Sequence, residues 1–145
     1  MKELIPVLNI ELHPYTLESL LVELEEGVVF TTNVDHLIKL QRKHEFYEAY
    51  LKADYRVCDS RILLALSRLT RHPIPAQIAG SDLFPAYCAY HLSSSQDIRI
   101  FLLGGTKDSV QKAERKLNEK GKIVTGSYSP PFGFEHDAHQ LEKVL

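Results

Sequence analysis

The chain has 145 residues, enough for one domain with a sizeable core, and its 44% hydrophobic and 25% charged residues are ordinary for a globular protein. A net charge of −2 provides no basic field, so we expect no nucleic-acid partner. Because the apolar runs are short and the start of the chain carries an acidic residue, Glu3, we expect neither a signal peptide nor a membrane span, and we expect a cytoplasmic location.

The first half of the chain predicts alternating strands and helices. The strands are short, apolar and rich in β-branched residues, and the helices begin at residues that are suited to cap them. In chain order we expect a strand over 5–10, a helix from Thr16 to Gly27, a strand over 28–32, a helix from Asn33 to about Ala53, a strand over 55–58 and a helix over 60–69 with Ile62, Leu63, Leu66 and Leu69 facing inward.

The second half continues the alternation after a loop that contains Pro73 and Pro75. We expect a helix over 81–92, a strand over 98–103, a helix over 106–119 that ends at Gly121, a strand over 123–125, a rigid aromatic loop over 129–134 and a last helix capped by Asp137. No stop residue follows this helix, so we expect the domain to be incomplete at its C-terminal end. The fold class is therefore α/β, a Rossmann-like open, mostly parallel sheet with flanking helices, in a single domain over 1–145.

Three polar clusters follow predicted strands: Thr31-Thr32-Asn33, Asp59-Ser60 and Gly104-Gly105-Thr106. The carboxyl ends of parallel strands meet at one edge of a sheet, where open α/β folds bind ligands. We therefore expect these three clusters to surround one crevice.

Two of these clusters, and the further segment Gly80-Ser81-Asp82, have both a structural and a functional interpretation. Asp59 is suited to cap the following helix, or to act as a general base at the crevice. Gly104-Gly105 fits a tight turn or a phosphate cradle at a helix N-terminus. Gly80-Ser81-Asp82 fits a helix cap or a contact with an anion or a hydroxyl.

The sequence predicts no metal site. His136 and His139 are the closest pair among seven histidines, and without an acidic partner motif they are poor evidence for zinc, so we expect surface histidines. No Asp-x-Asp pair is present to hold a divalent cation on a nucleotide diphosphate. Cys58 and Cys88 have no metal or redox spacing, and we expect reduced thiols.

Five motifs in order resemble the WecG/TagA/CpsF glycosyltransferase family. They are Thr31-Thr32-Asn33-Val34-Asp35-His36-Leu37, Cys58-Asp59-Ser60, Ala79-Gly80-Ser81-Asp82-Leu83, Phe101-Leu102-Leu103-Gly104-Gly105 and Tyr128-Ser129-Pro130-Pro131-Phe132-Gly133-Phe134. The resemblance implies inverting transfer of a sugar from a UDP-sugar to a polyprenyl-diphosphate-linked saccharide at the inner face of the bacterial membrane. The donors it implies carry N-acetylmannosamine, its uronic acid or glucose, and the products feed cell-surface polysaccharides such as teichoic acid and exopolysaccharide. It implies no metal and no cofactor besides the donor substrate.

The resemblance also assigns roles to residues. Asp59 occupies the place of the family's catalytic base, and Thr31 helps to place or polarise the reacting groups. Substrate contacts are expected from Asn33, Gly80, Ser81, Asp82, Gly104, Gly105 and Phe132.

The chain departs from the family pattern at Ser60, where Gly is usual, and at Gln77, where Arg is usual. Family members also continue beyond this point with a segment that contacts the membrane peripherally. Two alternatives therefore stay open: a truncated, catalytically silent nucleotide-binding relic, and a Rossmann-like interaction module without a ligand. An apolar edge left by truncation would favour a homo-oligomer.

Overall fold

The computed structural model describes residues 3–93, 99–119, 121 and 123–144. Strands and helices alternate, and two of the strand pairs are parallel, so the predicted α/β class is confirmed. In chain order the elements are β1 (Ile5–Val7), β2 (Ile10–Leu12), α1 (Leu17–Glu23), β3 (Val29–Thr32), α2 (Val34–Arg42), α3 (His44–Leu51), β4 (Tyr55–Cys58), α4 (Arg61–Ser67), α5 (Gly80–Ser93), β5 (Arg99–Leu103), α6 (Lys107–Glu119), β6 (Ile123–Tyr128), a 3-10 turn (Phe134–His136) and α7 (Ala138–Glu142).

The chain divides into two compact units, one up to Tyr90 and one from His91 onward. The first unit contains the β1–β2 hairpin and the parallel pair β3–β4, and the second contains the parallel pair β5–β6. The prediction of one domain over the whole chain stays a prediction. Among the described residues, no helix combines the length and the apolar composition needed to cross a bilayer.

The first predicted strand, over 5–10, is wrong, because the chain reverses within it. β1 and β2 pair antiparallel with Val7 opposite Ile10, so Leu8 and Asn9 form the turn. Leu8 adopts a left-handed φ of 54°, and the Asn9 side chain accepts a hydrogen bond from the Gln41 amide. This contact with α2 fixes a turn whose local signal is only the polar residue Asn9.

The predicted helix from Asn33 to about Ala53 is interrupted. Lys43 is extended, with φ −121° and ψ 102°, and it separates α2 from α3. In an uninterrupted helix, Tyr50 would lie about 140° around the axis from Leu37. The break lets both side chains enter the same buried cluster.

Two apolar clusters cover the two faces of the β3–β4 pair. Adjacent residues of a strand point to opposite faces, and Cys58 accordingly belongs to one cluster and Val57 to the other. The first cluster contains Ile5, Ile10, Leu12, Leu37, Leu40, Tyr50, Cys58 and Ile74, and the second contains Leu20, Leu24, Val57, Ile78 and Leu83.

The prediction for α4 is correct in place and at Leu63, but it is wrong for the other three residues of the predicted buried face. Ile62, Leu66 and Leu69 are 62%, 56% and 85% exposed, respectively. Leu64 and Ser67 join Leu63 on the inward side. The Ser67 hydroxyl donates to the Leu64 carbonyl and accepts from the Ile74 amide, so a polar residue is satisfied where an apolar one was expected.

In the second unit, α6 connects the parallel strands β5 and β6. β6 extends to Tyr128, three residues beyond the prediction, because it pairs with β5 up to Leu103. Asp137 caps α7 as predicted, accepting from the amides of His139 and Gln140. The predicted strand residue Ile98 and the helical position Leu145 lie outside the described residues.

Candidate functional site

The polar residues after β3 and β4 meet at one edge of this strand pair. Thr32 lies opposite Cys58, and the Asp59 amide donates to the Thr32 carbonyl at 2.7 Å. The pairing therefore continues one residue beyond β4. The predicted convergence of these two clusters is confirmed.

Asp59 does not cap α4. The Ser60 hydroxyl accepts from the Leu63 amide at 3.2 Å and is the N-cap residue. The Asp59 carboxylate is half-buried and accepts a hydrogen bond from Gln77 Nε2 at 3.2 Å. The capping interpretation of Asp59 is wrong, and its carboxylate remains available for chemistry at the strand end.

Gln77 reaches Asp59 because its loop is fixed beside β4. The Ile78 amide donates to the Cys58 carbonyl at 2.7 Å, and the Ile78 side chain is buried. The sequence marked Gln77 only as an uncharged departure from a family pattern. Its contact with Asp59 depends on this loop, which local patterning does not describe.

Thr31 and Thr32 point to opposite faces, as alternation along a strand requires. Thr32 is fully buried, and its hydroxyl is hydrogen bonded to the Tyr50 hydroxyl at 2.5 Å, which is a structural role. Thr31 is half-buried, and a Cβ added at Gly80 would lie 3.5 Å from its Oγ1. Thr31 is therefore the hydroxyl that can face a ligand.

A cleft of about 440 Å³ lies beside Thr31 and Gly80. Its walls come from the end of α1, from β3 and from the start of α5. Phe84 and Tyr87 provide aromatic surface, and Glu25 and Glu26 provide carboxylates. The cleft belongs entirely to the first unit and has room for a sugar-sized molecule.

Asn33 caps α2 as predicted, because its Oδ1 accepts from the His36 amide at 2.9 Å. Ser81 and Asp82 are exposed in the first turn of α5, which begins where the Ala79 carbonyl accepts from the Asp82 and Leu83 amides. The substrate contacts of Asn33, Gly80, Ser81 and Asp82 stay predictions.

His36 is a residue that sequence reasoning missed. It is half-buried, and its Nδ1 lies 3.4 Å from the Tyr50 hydroxyl. Burial lowers the pKa of His36, and the Lys39 cation lowers it further. The carboxylates of Asp35 and Asp59 act in the opposite direction on this pKa. The His36 imidazole therefore lies within the electrostatic field of the Asp59 carboxylate, in surroundings that disfavour its charged form.

The expectation of surface histidines is wrong at His91 and is met only in part at His13 and His36. His91 is buried, and His13 and His36 are half-buried. The sequence could have indicated the position of His36, because His36 lies three residues after Asn33 and a cap at Asn33 holds the His36 backbone near the strand end.

In the second unit, Gly104 and Gly105 have φ values of 96° and 73°, which glycine adopts without strain. They lead into α6, whose start is capped by reciprocal hydrogen bonds between Thr106 and Ser109. The tight-turn interpretation therefore accounts for both glycines. Their contact with a phosphate stays a prediction.

A cleft of about 240 Å³ follows this turn. It is lined by Lys107, Val110 and Gln111 from α6 and by Ser127, Tyr128 and Ser129 at the end of β6. Lys107 and the end of β6 therefore border a common space. Phe132, in the loop after β6, is completely exposed.

Among the residues that the structure describes, no group of three or more His, Cys, Asp or Glu side chains is arranged to hold a metal ion. The model of the glycosyl transferase WecG/TagA/CpsF family matches residues 5–145. No curated protein sequence matches the chain significantly.

Proposed function

We propose a specific reaction for this chain, which belongs to the WecG/TagA/CpsF glycosyltransferase family: inverting transfer of a hexosyl unit from a UDP-sugar to a polyprenyl-diphosphate-linked saccharide. N-acetylmannosamine, its uronic acid and glucose are the sugars to test first. The products would enter bacterial cell-surface polysaccharides, and the reaction would take place at the inner face of the membrane. Family membership supports sugar transfer, and the donor and acceptor are the proposal.

The observation that carries the proposal is the position of the Asp59 carboxylate. It lies at the end of β4, is half-buried, and is released from capping by Ser60. Gln77 donates to Oδ1, and among the described residues no side chain bonds to Oδ2. A positioned carboxylate with one vacant oxygen is suited to accept a proton.

The chemical step is a single displacement. The acceptor hydroxyl transfers its proton to Asp59 as its oxygen forms a bond to the anomeric carbon of the donor. The bond between this carbon and the β-phosphate oxygen breaks, and UDP leaves with the electron pair. Attack from the face opposite to UDP inverts the anomeric centre.

Other residues would bind the two substrates. Thr31, beside Gly80 at the 440 Å³ cleft, is suited to hydrogen bond a sugar hydroxyl. Within the second unit, Lys107, after the Gly104-Gly105 turn, is suited to bind a phosphate group, and exposed Phe132 to stack on an aromatic ring. We also propose that Asn33 Nδ2, Ser81 and Asp82 form polar contacts with the substrates.

The test is a transfer assay with each UDP-sugar and a short-chain polyprenyl-diphosphate saccharide, using Asp59→Asn and the matched control Asp108→Asn. Asp108 is exposed and paired with Lys112 in α6. Removing a general base costs on the order of 10²- to 10⁴-fold in rate, so we expect this loss for Asp59→Asn and none for the control. A fully active Asp59→Asn variant would exclude Asp59 as the base.

Thermal stability with UDP distinguishes binding from turnover. A ligand that binds the folded state raises the melting temperature, and we expect UDP to do so more than UMP or ADP. A UDP-selective shift with no transfer to any acceptor would support the nucleotide-binding relic instead. No shift and no transfer would leave the interaction module as the remaining interpretation.

A further inference from the structure

The exposed face of α4 combines apolar and basic side chains. Ile62 and Leu66 are four residues apart in α4 and share one side at about 100° per residue, Leu69 follows just beyond the helix, and all three are exposed. Arg61, the first residue of α4, and Arg68, its C-cap, are exposed at the two ends of the helix. We call these residues, together with the exposed Arg71, the α4 surface.

The charge of this surface is uniform. Residues 60–81 contain three arginines and one histidine but no Asp or Glu, although the whole chain has a net charge of −2. Within the part of the chain that the structure describes, none of the three arginines forms an ion pair. The basic groups are therefore available to an external anionic partner.

The apolar part extends beyond α4. A cleft of about 330 Å³ lies between Leu66 and the β1–β2 turn, with Ile5, Leu37 and Ile74 in its walls. At its rim Leu8 is 74% exposed. Exposed apolar side chains around a cleft, bordered by arginines, match an interface between headgroups and acyl chains.

We propose that the α4 surface docks on an anionic lipid bilayer. The leucines would enter the acyl region, and the arginines would contact phosphate headgroups. A second copy of the chain fits less well, because a two-fold contact would place the unpaired arginines against one another. Docking needs no sugar transfer. If the proposed function holds, docking would bring to the bilayer the helix whose Ser60 cap directly follows Asp59.

The test is co-sedimentation with vesicles of phosphatidylcholine alone and with vesicles of equal parts phosphatidylcholine and phosphatidylglycerol. We expect the chain to bind the mixed vesicles and not the neutral ones, and added salt to weaken binding. Replacing Arg61, Arg68 and Arg71 by Gln should reduce partitioning by roughly 100-fold. The control replaces Arg42, Arg115 and Lys116 by Gln, which removes the same charge elsewhere and should change partitioning little.

A second pair of variants tests the apolar part. Leu66→Gln with Leu69→Gln should reduce partitioning by roughly 10-fold or more, whereas Leu51→Gln with Val22→Gln, at other exposed positions, should not. Equal losses in test and control variants, or no binding to mixed vesicles, would overturn the proposal. A dimer in light scattering that the leucine variant dissociates, with no vesicle binding, would assign the surface to self-association. Sedimentation involves no turnover, so these failures would leave the proposed reaction untouched.

Discussion

Gln77 Nε2 lies 3.2 Å from Asp59 Oδ1, and the two residues come from different loops at the carboxyl end of β4. The amide orients the carboxylate without placing a positive charge beside it. An Asp59 that is oriented by a neutral partner can present its other carboxylate oxygen to a substrate hydroxyl.

We predict that Gln77→Leu lowers kcat of the proposed transfer by about 10-fold and leaves KM for the donor nearly unchanged, because it disorients Asp59 without removing it. Gln77→Asn, whose shorter amide does not reach Asp59, should behave similarly. Gln77→Glu should be worse and should recover at higher pH, because a second carboxylate opposes ionisation of Asp59 and the base acts only when it is ionised. Steady-state kinetics across pH measure these effects. A loss confined to KM would assign Gln77 to substrate binding.

Stability should separate Ser60 from Asp59. Ser60→Ala removes the N-cap of α4 and should cost about 1 kcal/mol of unfolding free energy, as helix caps typically do. Asp59→Asn should change stability by less than about 0.5 kcal/mol, because Asp59 is not a cap. Urea denaturation measures both values. The reverse order of costs would return the capping role to Asp59.

Gly80→Ala tests the cleft beside Thr31. The added Cβ would meet Thr31 Oγ1 at 3.5 Å, an ordinary contact, so stability should be retained. The methyl group would nevertheless cover the Thr31 hydroxyl, and we expect transfer to fall by about 10-fold with Thr31→Val giving a similar loss. The control is Ala79→Ser, which changes the neighbouring position. Unchanged transfer in Gly80→Ala would exclude this side of β3 from the site.

Acid should destabilise the first unit through two histidines. Burial lowers the pKa of His13, and Arg56 adds to the effect; burial likewise lowers the pKa of His36. The unfolded chain therefore binds these protons more tightly. The stability due to neutral His13 and His36 is complete above the ordinary pKa of 6.5 and is lost as pH falls from there through the lowered folded values.

Melting temperatures at pH 5.5 and 7.5 measure this dependence. We expect His36→Gln to reduce the loss of stability between the two pH values relative to the parent. His44→Gln, which replaces an exposed histidine, should leave the loss unchanged. An equal pH dependence in parent and His36→Gln proteins would show that His36 does not contribute.

The sequence predicted the features that local chemistry determines. β4, the Asn33 cap and the Asp137 cap are encoded by residues adjacent in the chain. The reversal at Leu8-Asn9 was missed because its anchor, Gln41, is distant in sequence. The break at Lys43 was missed because it satisfies the burial of Tyr50, not a preference of Lys43 itself.

The site shows the same division. The proximity of Thr32 and Asp59 follows from parallel strands alone. The position of Gln77 depends on the Ile78 contact with Cys58, and the role of Ser60 depends on where α4 starts. The outward face of α4 could not be predicted, because apolar periodicity identifies an apolar side without revealing whether anything covers it.

Cys58 makes the opening of the proposed site measurable. Cys58 is 2% exposed, and its thiol donates to the Ser60 carbonyl. Burial is the main cause of its raised pKa, so the thiol is protected from alkylation while the end of β4 stays packed. Alkylating reagents require the thiolate, and Cys58 can supply it only when the end of β4 separates from its neighbours. The alkylation rate of Cys58 therefore reports how often the backbone that carries Asp59 opens, on the time scale of local unfolding. Alkylation of Cys58 can therefore measure local opening one residue from the proposed base.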